Sequence, residues 1–256
     1  MVEGPLFDSH CHLFLMEEDA AAVMEASRSA GLVGLVCVGI DAESSQRSRE
    51  LADALPGVFA TAGLHPHDAQ AFDAVAGAAI EELAQDARVV AVGETGLDHY
   101  RMLSPPEEQE RAFRAHCGLA RETGKPLVVH VRDAWPDVLR ILEDESAERV
   151  ILHCFSGDVD TAREAAARGY HCSFAGNVTY PKNVSLRGAA AAVPGHLLLV
   201  ETDSPFLAPQ PVRGSPNTPA NVAAVVAAVA EARGESLAAV ASRTARNAKT
   251  AFALPE

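Results

Sequence analysis

Two histidines separated by one residue, His10 and His12 in DSHCHL, close the first apolar run of the chain. Packing gives no reason for a second imidazole there. Residues two apart on a strand share a face, so both rings can reach one cation while Cys11 points away. Other apolar runs end in similar groups: His65 and His67 in GLHPHD, Glu94 in VVAVGE, His130 in PLVVH, His153 in VILHC and Asp203 in LLLVETD. Neutral imidazoles and carboxylates gathered in a buried place are costly to desolvate unless cations compensate. Such a set suits Zn²⁺, Mn²⁺ or similar divalent ions better than Ca²⁺, and cysteine takes no obvious part. His10, His12, His130 and His153 with Glu94 and Asp203 exceed what one tetrahedral ion requires. Two ions are therefore expected, bridged by one carboxylate, with an activated water as the nucleophile of a hydrolysis. Glu201, two residues before Asp203, can substitute as a ligand or hold one in place.

The elements that must position these groups follow a strand-then-helix rhythm. Eight short runs rich in Val, Leu and Ile occupy residues 6–10, 34–39, 58–63, 89–94, 126–130, 150–154, 170–174 and 197–203. Between them lie Ala-rich amphipathic stretches, among them 17–29, 71–85, 106–122, 159–168 and 219–232, the last opened by Pro219 behind a Thr218 cap. Eight such units predict an α/β protein built as a closed (β/α)8 TIM barrel, one domain over residues 1–256. A dinucleotide fold lacks its GxGxxG turn. The Pro-rich stretch 207–219 reads as a loop after the eighth strand, and 227–252 as two helices that close the barrel. Every candidate ligand falls at a C-terminal strand end, where parallel barrels build their sites.

The 35 acidic against 21 basic side chains leave a formal charge of −14, which repels polyanions at long range. A nucleic acid must then be held by a local basic patch or by metal ions. Arg101, Arg132, Lys182 and Arg213 stand near strand ends or in the loops that follow, and Arg132, two residues after His130, falls on the same face. The five cysteines form no even framework and no C-x-x-C pair. With neither a secretory leader nor an apolar run approaching membrane length, the sequence predicts a soluble cytoplasmic protein without a membrane or an obligate protein partner.

Taken together, DSHCHL (8–13), GLHPH (63–67), GETGLDHY (93–100), HVRDA (130–134), HCFSG (153–157), SFAGNVTY (173–180), ETDSPFLAP (201–209) and RNAKTAF (246–252) resemble the TatD family of metal-dependent DNases, barrel hydrolases of the wider amidohydrolase group. The resemblance spans nearly the whole chain. It implies one divalent ion on His10, His12, Glu94 and Asp203 and a second on Glu94, His130 and His153, either of them Mg²⁺, Mn²⁺ or Zn²⁺. It implies catalytic roles for Glu94, for Asp203 in orienting or deprotonating the water, and for His65 facing the substrate phosphate, with Arg132 and Arg213 as further substrate contacts. The implied substrate is DNA, cut at phosphodiesters from single-stranded ends. Related barrels often bridge their metals through a carboxylated lysine, but none of Lys125, Lys182 and Lys249 ends the fourth strand, where Glu94 stands. Phe14 replaces a frequently acidic residue, His99 an aromatic one, and Arg213 lacks the basic neighbours common at that loop. Two other readings use the same cage: a metal-dependent ester or amide hydrolase such as an aminoacyl-tRNA deacylase, and a metal-binding protein without turnover.

Overall fold

The apolar runs fold as strands and the stretches between them as helices in the computed structural model, which describes residues 4–254. The strands are β1 (Leu6–Cys11), β2 (Leu32–Val38), β3 (Val58–Ala62), β4 (Val89–Asp98), β5 (Leu127–Arg132), β6 (Val150–Leu152), β7 (His171–Phe174) and β8 (Leu198–Val200). The helices are α1 (Ala20–Ser29), α2 (Ala42–Ala54), α3 (Ala74–Gln85), α4 (Pro106–Thr123), α5 (Trp135–Asp144), α6 (Val159–Ala167), α7 (Val184–Ala192), α8 (Val222–Arg233) and α9 (Leu237–Ala251). Each strand pairs in parallel with the next, from β1 through β8, because each crossover helix returns the chain to the same end of the sheet. Residues just beyond β8 close the ring. The Asp203 N–H donates to the His10 carbonyl at 2.9 Å, and the His12 N–H donates to the Ser204 carbonyl at 2.8 Å. The (β/α)8 barrel expected from the sequence is the fold.

Strand alternation sorts the apolar side chains into two layers. Phe7, Val36, Val38, Ala91, Val128, Ile151 and Leu199 share one buried cluster with Ala245, Ala248, Ala251 and Phe252 of the α9 region. Leu6, Leu35 and Cys37, from the other face of the strands, pack with helix residues such as Met24, Ile80, Phe113 and Ile141. Each large side chain so buried contributes roughly 1.5–3 kcal/mol. Asn247 on α9 donates to the Gly195 and Leu198 carbonyls at 2.7 and 2.8 Å. This helix therefore packs over the end of the barrel opposite the strand C-termini.

Several boundaries differ from the sequence reading, each for a local reason. β4 runs past Glu94 to Asp98, because Thr95, Gly96, Leu97 and Asp98 continue to pair with β5. β6 stops before His153, and Cys154 takes a φ of 44°. β8 stops at Val200, since the chain must turn toward β1 and Asp203 adopts a φ of 55°. α1 and α3 begin later than their apolar patterns because Asp19 and Asp73 accept first-turn N–H groups as N-caps. The expected Thr218 cap does not form: Pro219–Asn221 is a 3₁₀ turn without a side-chain cap bond. Asn217 holds that corner instead, its amide donating to the Thr202 and Phe206 carbonyls at 2.9 and 2.7 Å and its oxygen accepting from Thr218 N–H at 3.0 Å.

Candidate metal centre

The strand ends of β1, β3, β4, β5, β6 and β8 converge on one cleft of about 770 Å³ at the open mouth of the barrel. On β1 a register shift between Asp8 and Cys11 breaks the simple alternation. His10 and His12 consequently face the mouth, while Cys11 packs among the outer apolar residues. At β3 and β4 the backbones approach closely. A Cβ on Gly63 would lie 2.4 Å from the Gly93 Cα, so only glycine lets the His65 segment lie against the strand that carries Glu94.

Glu94 stands at the centre. Its Oε1 lies 2.9 Å from His130 Nδ1, 3.0 Å from His153 Nε2 and 3.4 Å from His65 Nε2, and its Oε2 lies 3.3 Å from His10 Nε2. Asp203 Oδ1 approaches His12 Nε2 at 3.5 Å and His10 Nε2 at 3.8 Å. The two Nε2 atoms of His10 and His12 face each other at 3.3 Å. Ligand atoms of three triads fall within 4.8 Å of one another: His10, His12 and Glu94; His10, His153 and Asp203; and His65, Glu94 and His130. All six residues assigned to metal from the sequence are thus gathered here, with His65 beside them.

A second layer orients the rings. The His12 Nδ1–H donates to the Val38 carbonyl at 2.8 Å, and the His153 Nδ1–H donates to Glu201 Oε1 at 3.0 Å. Both bonds turn Nε2 into the cleft, where the neutral ring would present its lone pair to a metal ion. Glu201 also accepts the Cys154 N–H at 2.7 Å, so it buttresses His153 rather than replacing Asp203. His65 differs. Its Nδ1 accepts the His67 N–H at 3.1 Å, which puts the proton of the neutral ring on Nε2, pointing toward Glu94.

Burial opposes charge throughout this cluster, and the neighbours decide the outcome. On Glu94 burial is outweighed by the charges of His153 and His65 and by bonds from His10 and His130, holding its carboxyl well below the usual range. On Asp203 the same opposition is overcome by the His12 bond and by the charges of His153 and His10, so it too is lowered. His153 is raised well above an ordinary imidazole because Glu94 and Glu201 outweigh its burial. His12 and His130 are raised against burial by Asp203 and by Asp98 with Glu94, respectively. His10 is lowered by burial and by His153. His65 is pushed down to about 3 by burial, which favours its neutral, N–H-donating ring.

Of the cations singled out in the sequence, Arg101 and Arg132 line the cleft, whereas Lys182 and Arg213 do not. Phe14 sets its ring edge against His12, centroids 5.8 Å apart. Three residues of the site escaped the sequence reading. Asp98, the last residue of β4, accepts His67 Nε2–H at 2.7 Å and the backbone N–H groups of Tyr100 and Arg101 at 2.9 and 2.7 Å. Its place four residues beyond Glu94, on the same strand face, was the available signal. Asp8 is fully buried, its carboxyl pushed up by burial to about 8, and braces β1 through the Thr202 hydroxyl at 2.5 Å and the Thr202 N–H at 2.8 Å. His116, buried in α4, accepts the Leu64 N–H at 3.1 Å and donates from Nδ1 to the Ala112 carbonyl at 2.7 Å. No spacing in the sequence flags it.

Comparison with known proteins agrees with this geometry. The family model described as TatD related DNase matches residues 7–253. An uncharacterized metal-dependent hydrolase, YabD of Bacillus subtilis, is 37% identical over 96% of this chain and 98% of its own. The 3'-5' ssDNA/RNA exonuclease TatD of Escherichia coli K12 is 35% identical over 93% of this chain and 94% of its own. Among solved structures, the E. coli TatD homolog YJJV superposes with a TM-score of 0.90 at 28% identity, covering 98% of both chains. A barrel whose open mouth gathers histidines and carboxylates from six strands, matched end to end by one family, leaves one assignment: the chain belongs to the TatD family of metal-dependent hydrolases.

Proposed function

We propose that the chain is a two-metal phosphodiesterase that trims single-stranded DNA from an end. The observation that carries this reading is the crowding around Glu94, where four imidazole nitrogens lie within 3.4 Å of one carboxylate. The fit to metal is chemical. The Nε2 atoms of His10 and His12 converge with the Asp203 carboxylate within 3.8 Å, and a cation between them would replace the protons that otherwise keep these donor atoms from repelling one another. His10, His12, Glu94 and Asp203 would hold one ion and Glu94, His130 and His153 the other; the donor set suits Zn²⁺, Mn²⁺ or Mg²⁺. When bound, such ions supply Lewis acidity toward the phosphate and make water nucleophilic near neutral pH.

The remaining roles belong to the protein. Asp203, kept ionised, orients the attacking water and takes its proton. Glu94 joins the two halves of the cage. His65, a neutral N–H donor on the cleft wall, donates to a phosphate oxygen, and Arg132 on the same wall neutralises the backbone of the strand. Water adds to phosphorus, the bond to the leaving deoxyribose oxygen breaks, and that oxygen takes up the proton held by Asp203, releasing a terminal nucleotide. The name of the E. coli relative supports single strands as the substrate class. The test is to incubate the metal-reconstituted parent and Glu94→Gln in parallel with single-stranded DNA, duplex DNA and aminoacyl-tRNA. Metal-dependent trimming of the single strand by the parent, lost by about 10³-fold or more in Glu94→Gln, is expected. Cleavage of the aminoacyl ester alone would establish the deacylase instead, and metal binding with no turnover a non-catalytic role.

A further inference from the structure

Most cations of this acidic chain are already occupied. Arginines such as Arg47, Arg49, Arg114 and Arg140 pair with carboxylates, and Arg28, Lys125, Arg149 and Arg187 donate to backbone carbonyls. Among the described residues, Arg132 and Arg213 have no carboxylate within salt-bridge distance. Each is instead stacked on a tyrosine. The Arg132 guanidinium lies 4.0 Å from the Tyr100 ring centroid, and that of Arg213 lies 3.7 Å from the Tyr180 ring centroid.

The two pairs belong to different sectors of the mouth. Tyr100 follows β4 and Arg132 ends β5; Tyr180 follows β7 and Arg213 follows β8. They are also stacked in opposite order. At the first, Arg132 lines the cleft and Tyr100 lies outside it, 64% exposed. At the second, Tyr180 is the inner member, its hydroxyl donating to the Ala208 carbonyl at 3.0 Å, and Arg213 is exposed. A flat tyrosine with a free face is a stacking surface for a base, and a flat unpaired guanidinium can take either a base or a phosphate.

We propose that these two arginine–tyrosine stacks, one at the rim of the metal cleft and one beyond it, are nucleotide-binding platforms, which hold a single strand across the mouth while its end is cut. The proposal rests on the phosphodiesterase reading above and deepens it. Tyr100 takes an unpaired base on its outer face, Arg132 the phosphate nearest the cleft, and Arg213 a nucleotide farther along the strand. Bases locked in a duplex offer no free face to Tyr100, so the arrangement favours single strands. It also helps a chain of formal charge −14 retain a polyanion, since these two guanidiniums put positive charge that no carboxylate neutralises beside the mouth.

The experiment compares the metal-loaded parent with Tyr100→Ala and Arg213→Ala on two probes: a single-stranded oligothymidylate of about a dozen nucleotides, and bis(p-nitrophenyl) phosphate, which is small enough to need only the cleft. Each variant is expected to lose about tenfold in kcat/KM on the oligonucleotide, chiefly through KM. Its loss on the small diester should be several-fold smaller. Tyr100→Phe, which keeps the ring, should recover most of the loss. Arg213→Ala should lower the slope of log affinity against log salt by about one. If the parent cleaves both probes and the variants lose equally on each, or lose nothing, the platforms are wrong while the phosphodiesterase stands. A parent inactive on both probes overturns both.

Discussion

His116 gives a prediction in which geometry, protonation and stability are linked away from the metal cage. Its ring is buried between α4 and the segment carrying His65, accepting the Leu64 N–H through Nε2 and donating through Nδ1 to the Ala112 carbonyl. Only the neutral ring can do both. Burial accordingly pushes its pKa down to about 4, against an ordinary 6.5. The folded-state value is depressed, so the stabilisation is fully present above pH 6.5 and is lost as pH falls toward 4, because only the unfolded chain takes up the proton in that window. Two and a half pH units at 1.36 kcal/mol each make the whole effect about 3 kcal/mol, of which about 2 kcal/mol is lost between pH 7.5 and pH 5. His116→Gln keeps an acceptor for Leu64 but does not titrate. At pH 7.5 it should be less stable than the parent by about 1–2 kcal/mol, from the lost bond to Ala112 and imperfect packing. At pH 5 the parent should have lost that advantage. Urea unfolding of both proteins at the two pH values measures the difference, in which contributions common to both cancel. A gap that is the same at pH 5 as at pH 7.5 would refute a neutral, buried His116.

Two further outcomes follow from the site. Glu201→Gln leaves the cage intact but weakens the charge-assisted bond that orients His153; metal affinity should fall by about 10–100-fold, measured by competition with a chelator, and an unchanged affinity would remove Glu201 as a buttress. Gly63→Ala must push a methyl group against the Gly93 backbone, and a loss of roughly 1–3 kcal/mol or more in urea unfolding is expected, whereas parental stability would show that β3 and β4 can separate freely.

The barrel was legible because its signals are periodic and repeated. Eight runs such as VVAVG and PLVVH, each bounded by turn residues and separated by a helix-length stretch, constrain the topology even when single boundaries shift. The boundaries that moved did so where backbone hydrogen bonding outran side-chain pattern. Thr95–Asp98 looks like a loop by composition yet pairs with β5, and Glu201–Asp203 looks like strand throughout, yet only the Glu201 N–H still donates to β7, at Phe174, before Asp203 closes the ring on β1. His10, His12, Glu94, His130, His153 and Asp203 were legible as a set, because ligand-type residues at successive strand ends must meet in a parallel barrel. Asp8 and His116 were not, since each acts through a partner fixed only by tertiary structure, Thr202 and Leu64; Asp98 carried a spacing signal, but its partner His67 did not follow from it.

The same distinction explains how the cage is held. Six charged or chargeable groups packed around Glu94 repel or desolvate one another, and hydrogen bonds from outside the cage hold their backbones in place. Asp8 ties β1 to the turn after β8 through Thr202, whose hydroxyl also reaches Ser204 at 2.9 Å, and Asn217 ties that turn to the loop carrying Phe206. On the far side, Gln109 of α4 accepts the Asp98 N–H at 2.8 Å and donates to the Ser104 carbonyl at 2.8 Å, while His116 fixes the segment before His65. None of these braces lies at a candidate metal position, yet together they set where the strand ends stop. A cage positioned in this way need not be gathered by the ion, so the ordering cost of forming it is met when the barrel folds, and binding can draw on the full attraction between cation and ligands.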